Sequence, residues 1–387
     1  MKYVIVVGDG MADHPMPELD GKTPLEAAHT PHMDALAQRG TLGLVNTIPK
    51  GFSPGSDVGN MSILGYDPRC YYTGRAPLEA ASIGVELGPD DVALRCNLVT
   101  LTQKNHQWVM EDYSAGHIPT EEAKKLIELL RDELEDETFQ FYAGVSYRHL
   151  VIWRGGKSDL KLTPPHDIPQ RPIEPYLPQG EGSDLLRSLM ERAREKLAGQ
   201  RANAIWLWGA GRKPHMPTLQ ERYNLRGSII SAVDLIRGLG IYAGLKVLRV
   251  PGATGYLDTN YQGKVEAALR AVEEDDLVYV HVEAPDEVSH EGDLQKKIQA
   301  IEDFDAHIVG PLVEGLEQFE KFALLVLPDH PTPVSLRVHT AEPVPFVIYR
   351  SGDALPRKAA RGFSEASARA SRLYLDNGYE IFTMLLS

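Results

Sequence analysis

Short apolar segments that alternate with stretches of helical periodicity constrain the fold of this chain more than any other feature. The segments have four to six residues each, as expected for strands buried on both faces of a sheet. They are Tyr3–Val7, Lys246–Val250, Leu277–Val282, Phe322–Leu327 and Phe346–Tyr349. Helices are predicted at 31–39 after an N-cap at Thr30, at Ser228–Leu239 and at Leu294–Leu316. This alternation predicts an α/β fold, a mostly parallel sheet with helices on both faces and a functional site at the carboxyl ends of its strands.

The middle of the chain reads as a second, smaller α/β domain. Strands are predicted at Val92–Leu101, Tyr147–Trp153 and Ala204–Gly209, and helices at Glu121–Leu134, capped by Thr120, and at 185–197. A chain of 387 residues also exceeds what one hydrophobic core usually organises. We therefore predict an inserted domain at 77–222, and a discontinuous larger domain made of 1–76 and 223–387.

Composition excludes several classes of function. The formal net charge of −14 argues against general affinity for nucleic acid or for anionic membranes, both of which select basic surfaces. Only two cysteines occur, the first residues enter a strand directly without a cleavable signal, and no segment reaches the ~18–20 apolar residues of a membrane span. We expect a cytoplasmic protein that acts on a small molecule, without nucleic acid or membrane partners; a homo-oligomer is left open.

Carboxylates and imidazoles follow the predicted strands, where packing alone gives them no purpose. Asp9 follows the first strand, and Asp329 with His330 follows Phe322–Leu327. Asp286 and His290 lie four residues apart after another strand, so one helical turn would put them on the same face. With His339 and with Ser56 of the Pro54-Gly-Ser-Asp57 segment they complete a set of seven possible metal ligands.

Two divalent ions about 4 Å apart can hold both the attacking and the leaving oxygen of a phosphoryl transfer. We predict that Asp286, His290 and His339 bind the first ion. The second ion would be bound by Asp9, Ser56, Asp329 and His330. Each residue has a simpler explanation, because Asp9 could form a turn, Ser56 could cap a helix and the Asp286–His290 pair could lie on a helix surface. The metal interpretation is preferred because the simpler explanations would require all of these residues to occur by coincidence at matching places of the same predicted fold.

Ser56 is the predicted nucleophile. A serine at a helix N-terminus lies where backbone N–H groups and the helix dipole favour a phosphate dianion. Metal coordination would also lower the pKa of its hydroxyl, which removes the need for a histidine base. The position therefore suits a phosphoserine intermediate.

At these residues the chain resembles the cofactor-independent phosphoglycerate mutases of the alkaline phosphatase superfamily, in their archaeal-type branch. The matching segments are 6–13, 54–68, 256–264, 284–290, 327–330 and 339–346, and the resemblance covers essentially the whole chain. Asn60 departs from the better-known branch, which has a histidine there, and no role is assigned to Asn60 on that basis.

The resemblance implies two Mn²⁺ or similar ions, with no requirement for 2,3-bisphosphoglycerate, and a second domain that holds the glycerate. Ser56 would take the phosphoryl group from 3-phosphoglycerate and return it to the 2-hydroxyl of the retained glycerate. Positively charged side chains should bind the substrate, and the candidates are His117, Arg148, Arg212 and Lys264. A solvated surface position explains each of these four equally well.

Other activities remain open at this point. The same ligands would serve a phosphomonoesterase or another phosphosugar mutase, such as a phosphopentomutase, and they would also serve a catalytically silent metal-binding regulator. The ligand types accept Mn²⁺, Zn²⁺, Co²⁺ or Mg²⁺, so the residues alone do not select the ion.

Overall fold

A computed structural model describes residues 1–352 and 362–387 of the chain. These residues form two compact units, Met1–Tyr72 with Met216–Ser387, and Thr73–His215. The boundaries predicted from the sequence, at 77 and 222, each lie several residues later in the chain than the first and last residues of the second unit. No helix in the described ranges is long and apolar enough to cross a membrane.

The strands of both units are short, apart from one long strand in the second unit. In chain order they are β1 (Lys2–Gly8), β2 (Thr41–Val45), β3 (Val92–Lys104), β4 (Gln107–Asp112), β5 (Phe139–Val145), β6 (Arg148–Trp153), β7 (Leu160–Lys161), β8 (Gln179–Gly180), β9 (Ala204–Arg212), β10 (Gly227–Ile230), β11 (Lys246–Val247), β12 (Leu277–Val282), β13 (Phe322–Leu327), β14 (Val344–Arg350) and β15 (Tyr374–Leu375).

In the first unit helices alternate with strands along the chain, whereas in the second unit they lie between groups of strands. They are α1 (Pro24–Ala27), α2 (Pro31–Arg39), α3 (Ser56–Ile63), α4 (Pro68–Tyr71), α5 (Ala76–Ser82), α6 (Thr120–Leu134), α7 (Ser183–Lys196), α8 (Leu219–Tyr223), α9 (Asp234–Tyr242), α10 (Tyr261–Glu274), α11 (Ala284–Glu291), α12 (Leu294–Phe304), α13 (Gly310–Leu316), α14 (Glu365–Ser371) and α15 (Glu380–Leu386). A π turn at Asp305–Val309 joins α12 to α13.

The first unit is built on one sheet with the strand order β11-β10-β12-β1-β13-β14-β2-β15. The central strands β10, β12, β1 and β13 are parallel, whereas β14 runs antiparallel to both β13 and β2. All residues of β12 and β13 are buried, as expected for strands covered on both faces. The predicted α/β class with a mostly parallel sheet is confirmed.

The second unit has a different sheet. Strand β3 pairs antiparallel with β4, β6 and β9, and β5 pairs antiparallel with β6. Helices α6 and α7 contribute their apolar faces to the core of this unit, with Leu130 of α6 and Leu189 of α7 almost fully buried.

Three local predictions were wrong in whole or in part. The strand predicted at Lys246–Val250 covers only Lys246–Val247, as β11. The predicted helix Ser228–Leu239 begins as strand β10, and its helical part starts only at Asp234, because a short apolar run fits either period. Thr120 is the first residue of α6 rather than its cap, and Pro119 occupies the N-cap position.

The N-terminus of helix α2 is capped from a distant part of the chain. Its N-cap residue, Thr30, makes no side-chain capping bond. The buried carboxylate of Asp305, in the π turn, instead accepts from the backbone N–H groups of His32 (3.1 Å) and Met33 (2.7 Å). The π turn that follows α12 therefore also holds the N-terminus of α2 in place.

We expect Asp305→Ala to lower the free energy of unfolding by about 2 kcal/mol or more, because it leaves two N–H donors without their acceptor. Denaturant titration measures this change. The control is Glu314→Ala, which removes an exposed carboxylate from α13 and should change the free energy of unfolding by less than about 0.5 kcal/mol. Equal stabilities of the two variants would contradict the capping role.

Candidate active site

Three acidic residues lie at the same edge of the sheet because their strands are adjacent and parallel. Strand β1 lies between β12 and β13, with Gly8 paired to Val282 and Val7 to Leu327. Asp9 directly follows β1, Asp329 follows β13, and Asp286 lies in the first turn of α11, which follows β12. The topology thus brings together side chains separated by more than 300 residues of sequence.

The four residues predicted for the second ion converge. The ligand atoms of Asp9, Asp329 and His330 all lie within 4.8 Å of one another. The Nε2 atom of His330 is 3.5 Å from Oδ1 of Asp9 and 3.6 Å from Oδ2 of Asp329. Ser56 Oγ lies 3.2 Å from that Nε2 atom and 3.3 Å from Oδ1 of Asp9. The hydroxyl therefore faces the centre of this group.

The three residues predicted for the first ion also meet. One turn of α11 brings Nε2 of His290 to 3.1 Å from Oδ2 of Asp286, and Nε2 of His339 lies 2.9 Å from Nε2 of His290. The group that these residues form extends to His330, since the ligand atoms of Asp286, His330 and His339 lie within 4.8 Å of one another. His330 therefore belongs to both groups.

Repulsion between the buried carboxylates of this cluster makes it a favourable place for a positive charge. Asp9 and Asp329 are almost fully buried. Burial, followed by repulsion from Asp329, Asp286 and Glu283, raises the pKa of Asp9 well above its usual value. Buried carboxylates and imidazoles with free lone pairs form a donor set that suits divalent cations. The residues therefore fit the metal site that the sequence predicts.

The pKa values of His290 and His330 are shifted in opposite directions. Burial raises the pKa of Asp286, but hydrogen bonds with His290 and His339 outweigh burial and hold this pKa well below its usual value. Burial alone would lower the pKa of His290, yet the bond to Asp286 raises it to about 9. Burial lowers the pKa of His330, and the neighbouring charge of Asp329 only partly opposes this shift.

Asn60, to which the sequence assigned no role, holds the nucleophile helix against a predicted ligand. Its Nδ2 group donates to the carbonyl of Ser56 (2.8 Å) and to Oδ2 of Asp329 (2.7 Å). Its Oδ1 atom accepts from the hydroxyl of Tyr279, in the middle of β12. All of these contacts are buried or partly buried, so the amide orientation is fixed by its partners. Spacing offered only one signal, since Asn60 lies one helical turn after Ser56.

Asp329 is fixed by further contacts from two other segments and by the close approach of α3. Its Oδ1 atom accepts from the backbone N–H of Gly10 (3.1 Å), and its carbonyl accepts from Thr47 Oγ1 (2.6 Å). A Cβ atom at Gly59 would lie 2.7 Å from that carbonyl oxygen, so only glycine allows α3 to approach this closely. The position of Asp329 is therefore set before any ligand binds.

Lys264 does not fit the predicted contact with substrate, and that prediction is corrected. Its side chain is fully buried, and its ammonium group donates to Oε2 of Glu283 (2.9 Å) and to the carbonyl of His281 (2.8 Å). His281 is also fully buried, with Nε2 3.4 Å from Oδ2 of Asp9. Lys264 thus supports the floor of the carboxylate cluster.

A second buried lysine supports the opposite side. The ammonium group of Lys297, in α12, donates to Oδ2 of Asp13 (2.8 Å) and to the carbonyls of Thr332 (2.8 Å) and Ala12 (3.2 Å). These acceptors lie in the loops that follow Asp9 and His330. Sequence reasoning missed Lys297 because its position in an amphipathic helix looks like that of a surface lysine.

Two of the predicted substrate residues meet in the second unit. The ring of His117 lies 5.8 Å from that of Tyr147, and the guanidinium carbon of Arg148 lies 5.6 Å from the same ring. Both His117 and Arg148 are exposed. They therefore form one patch around Tyr147.

Arg212 does not join this patch. Arg148 pairs with Asn97 of β3 and Arg212 pairs with Val92, five residues away along the same strand, or about 17 Å. The guanidinium of Arg212 donates to the carbonyl of Gly156 (2.7 Å). These contacts assign Arg212 to the scaffold of the second unit.

A row of rings extends from the patch to a buried arginine that sequence reasoning missed. Tyr113 lies 6.0 Å from Tyr147 and 6.2 Å from His166, and His166 lies 5.3 Å from Trp208. The guanidinium carbon of Arg95 lies 4.2 Å from the Trp208 ring. Burial lowers the pKa of Arg95 to about 10. An arginine inside an apolar strand was the available signal.

Comparisons with known proteins show what the whole chain is similar to. A family model described as 2,3-bisphosphoglycerate-independent phosphoglycerate mutase matches residues 37–203. A probable 2,3-bisphosphoglycerate-independent phosphoglycerate mutase of Geobacter sulfurreducens is 52% identical over 398 residues, which cover 100% of both chains. An enzyme of that name from Methanosarcina acetivorans is 50% identical, again over 100% of both chains.

Solved structures give the same result for the fold. A protein of Pyrococcus horikoshii superposes with a TM-score of 0.83 at 26% identity, covering 100% of this chain and 96% of that one. The cofactor-independent phosphoglycerate mutase of Thermoplasma acidophilum superposes with a TM-score of 0.67 at 26% identity, covering 100% and 99%.

Repulsion within the carboxylate cluster leads to a stability prediction. In metal-free protein at pH 7, Asp9→Asn should raise the melting temperature by about 2–4 °C or more, since it removes a buried group whose charge is unfavourable. Added Mn²⁺ should raise the melting temperature of this variant less than that of the wild type, because the variant lacks a carboxylate ligand. Thermal unfolding with and without chelator measures both effects.

The matched control is Asp376→Asn, which neutralises an exposed carboxylate of the same unit. Its melting temperature should follow that of the wild type in both conditions. An unchanged or lower melting temperature of metal-free Asp9→Asn, together with a full Mn²⁺ effect, would contradict the interpretation.

Proposed function

The chain belongs to the family of 2,3-bisphosphoglycerate-independent phosphoglycerate mutases, and on that basis we propose that it interconverts 3-phosphoglycerate and 2-phosphoglycerate. Such an enzyme is an isomerase, an intramolecular phosphotransferase of glycolysis and gluconeogenesis. The observation that carries the proposal is the position of Ser56 Oγ, within 3.4 Å of both a buried carboxylate and His330 Nε2.

Ser56 takes part in two successive displacements, first as the nucleophile and then as the leaving group. In the first, its Oγ atom loses its proton and forms a bond to phosphorus, while the bond between phosphorus and the C3 oxygen breaks and that oxygen takes up a proton. In the second, the 2-hydroxyl of the same glycerate loses its proton and forms a bond to phosphorus, while the bond between phosphorus and Oγ breaks and Oγ takes up a proton. Water takes no part, so the glycerate must remain bound between the two steps.

Seven residues would hold two divalent cations at this site. Asp9, Ser56, Asp329 and His330 form one set, and Asp286, His290 and His339 form the other. Mn²⁺ is the proposed ion, with Zn²⁺, Co²⁺ or Mg²⁺ as alternatives, and 2,3-bisphosphoglycerate is not required. When bound, such cations lower the pKa of a coordinated hydroxyl and offset the charge of phosphoryl oxygens.

The protein orients the nucleophile through backbone contacts. Ser56 is the first residue of α3, so the phosphoryl group would meet the N–H groups of the first helical turn. Asn60 holds the Ser56 carbonyl and Asp329 with one amide group, which keeps the hydroxyl at a fixed distance from a ligand of the second set. This arrangement fixes the start of α3 beside the ligand group before the substrate binds.

The glycerate would be held by the second unit. We assign its carboxylate to the patch of His117 and Arg148, where an exposed guanidinium and an imidazole flank Tyr147. Arg95, which stacks on Trp208 and forms an ion pair with Glu79 (3.0 Å), holds the ring row of this unit in place. A cytoplasmic location is part of the proposal, since a phosphorylated three-carbon acid is a substrate of central metabolism.

Ser56→Ala should abolish mutase activity, with a loss of at least about 10⁴-fold in kcat, because the chain would lack its acceptor for the phosphoryl group. A coupled assay that detects 2-phosphoglycerate measures this loss. The control is Ser53→Ala, three residues earlier and exposed, which should keep the wild-type rate.

The same assay separates the competing activities. Steady release of inorganic phosphate from 3-phosphoglycerate without 2-phosphoglycerate would establish a phosphomonoesterase. Turnover that survives in Ser56→Ala would exclude the phosphoserine route, and binding of Mn²⁺ by a wild type without turnover on phosphoglycerates or phosphosugars would favour a silent metal-binding regulator.

Arg148→Met should raise KM for 3-phosphoglycerate about 10- to 100-fold, as expected for loss of one charge-assisted hydrogen bond to a carboxylate. Steady-state kinetics measure KM, and Mn²⁺ affinity should stay unchanged. The control is Arg192→Met, which removes an exposed guanidinium from α7 of the same unit and should leave KM unaltered. An unchanged KM in Arg148→Met would show that the substrate carboxylate binds at another place.

A further inference from the structure

Thr332 lies between the two groups of predicted ligands although it belongs to neither. It is fully buried in the loop after β13. Its Oγ1 atom is 2.5 Å from Oδ1 of Asp286, in one group, and 3.2 Å from Nδ1 of His330, which both groups share. One hydroxyl therefore contacts both groups at once.

The backbone of Thr332 holds this hydroxyl in place. Its N–H donates to the carbonyl of Ala12 (3.2 Å), and its own carbonyl accepts from the ammonium group of Lys297 (2.8 Å). Its neighbour Val334 donates to Oδ2 of Asp13 (3.0 Å). The loop is thus anchored to the segment that follows Asp9, and the hydroxyl has little freedom to choose other partners.

The direction of the two hydrogen bonds follows from counting protons. A threonine hydroxyl has one proton to donate, and an ionised carboxylate can only accept. The proton of the Thr332 hydroxyl is therefore donated to Oδ1 of Asp286. The hydroxyl must then accept from His330, so the proton of the imidazole lies on Nδ1.

We propose that Thr332 is a positioning residue that fixes His330 in the tautomer protonated at Nδ1 and joins the two ligand groups through one hydroxyl. The inference rests on the proposed function, in which His330 and Asp286 hold cations. With the proton on Nδ1, the lone pair of Nε2 points to Ser56 Oγ, at 3.2 Å, and to Oδ1 of Asp9, at 3.5 Å. The opposite tautomer would direct an N–H group at the place where a cation must bind.

The same hydroxyl also limits how Asp286 can bind a cation. The hydroxyl takes one acceptor position of Oδ1, which also faces His339 Nε2 at 3.4 Å, while Oδ2 faces His290 Nε2 at 3.1 Å. Residues that orient metal ligands in this way commonly contribute 10- to 100-fold to affinity. Thr332 acts in this manner on one ligand from each group.

Two substitutions separate the hydroxyl from the bulk of the side chain. Thr332→Val keeps the shape and removes the hydroxyl, whereas Thr332→Ser keeps the hydroxyl and removes a methyl group. Titration calorimetry with Mn²⁺ on chelator-treated full-length protein should show a loss of about 10- to 100-fold in affinity for Thr332→Val. Thr332→Ser should stay within about threefold of the wild type. Thr332→Ala replaces the valine variant if the latter folds poorly by circular dichroism.

The tautomer is tested without metal. In metal-free protein with ¹⁵N-labelled histidine, the ring signals of His330, identified by their loss in His330→Gln, should show protonation at Nδ1 in the wild type and in Thr332→Ser. Thr332→Val should lose this signature. Protonation at Nε2 in the wild type, or wild-type Mn²⁺ affinity in Thr332→Val, would overturn the proposal, as would equal losses in the serine and valine variants. A wild type that binds none of Mn²⁺, Zn²⁺, Co²⁺ and Mg²⁺ would instead refute the proposed function.

Discussion

Repulsion among buried carboxylates is the constraint on which the rest of the site depends. Parallel strands β1, β12 and β13 deliver Asp9, Asp286 and Asp329 to one edge of the sheet, where water is largely excluded. Isolated charges are costly in such a place, and an unfavourable charge shifts its pKa or is neutralised by a partner. Asp9 has a strongly raised pKa, while Asp286 and Asp329 have lowered ones because histidines face them. The cluster is therefore only partly balanced by the protein itself, and that residual imbalance is what a bound cation would relieve.

Two buried lysines carry part of the balance without approaching the ligands. The Lys264 ammonium neutralises Glu283, whose other oxygen accepts from Ser231 Oγ (2.7 Å), and the Lys297 ammonium neutralises Asp13. Each pair is fully buried, so removing one partner would leave an uncompensated charge in the core. The pairs also join loops that are remote in sequence. The positive charges of the chain thus stabilise the scaffold, and the positions beside Ser56 stay open to cations.

Local patterns predicted the central strands β1, β12 and β13, the α/β class and the residues that directly face one another in the site. Apolar runs such as Phe322–Leu327 need only their own composition to be recognised, and a carboxylate directly after such a run is informative because strand ends meet. The supporting contacts could not be predicted in this way. Lys264 and Lys297 look like surface lysines in helices, and only the contacts between α10, α12 and the strand ends reveal that both are buried. The start of β10 was misread because an apolar run of four residues fits a helix as well as a strand.

Asn60 illustrates why a support residue is harder to predict than a ligand. A ligand is recognised by its own chemistry, whereas a support residue is defined by the donors and acceptors around it. At position 60 one atom must donate twice, to the Ser56 carbonyl and to Asp329, while a second atom accepts from Tyr279. An amide meets this requirement, since its nitrogen has two protons and its oxygen has two lone pairs. An imidazole has one proton on each donating nitrogen and could not make both donations from one atom. A histidine at position 60 could still accept from Tyr279, but it would leave either the Ser56 carbonyl or Asp329 without its donor.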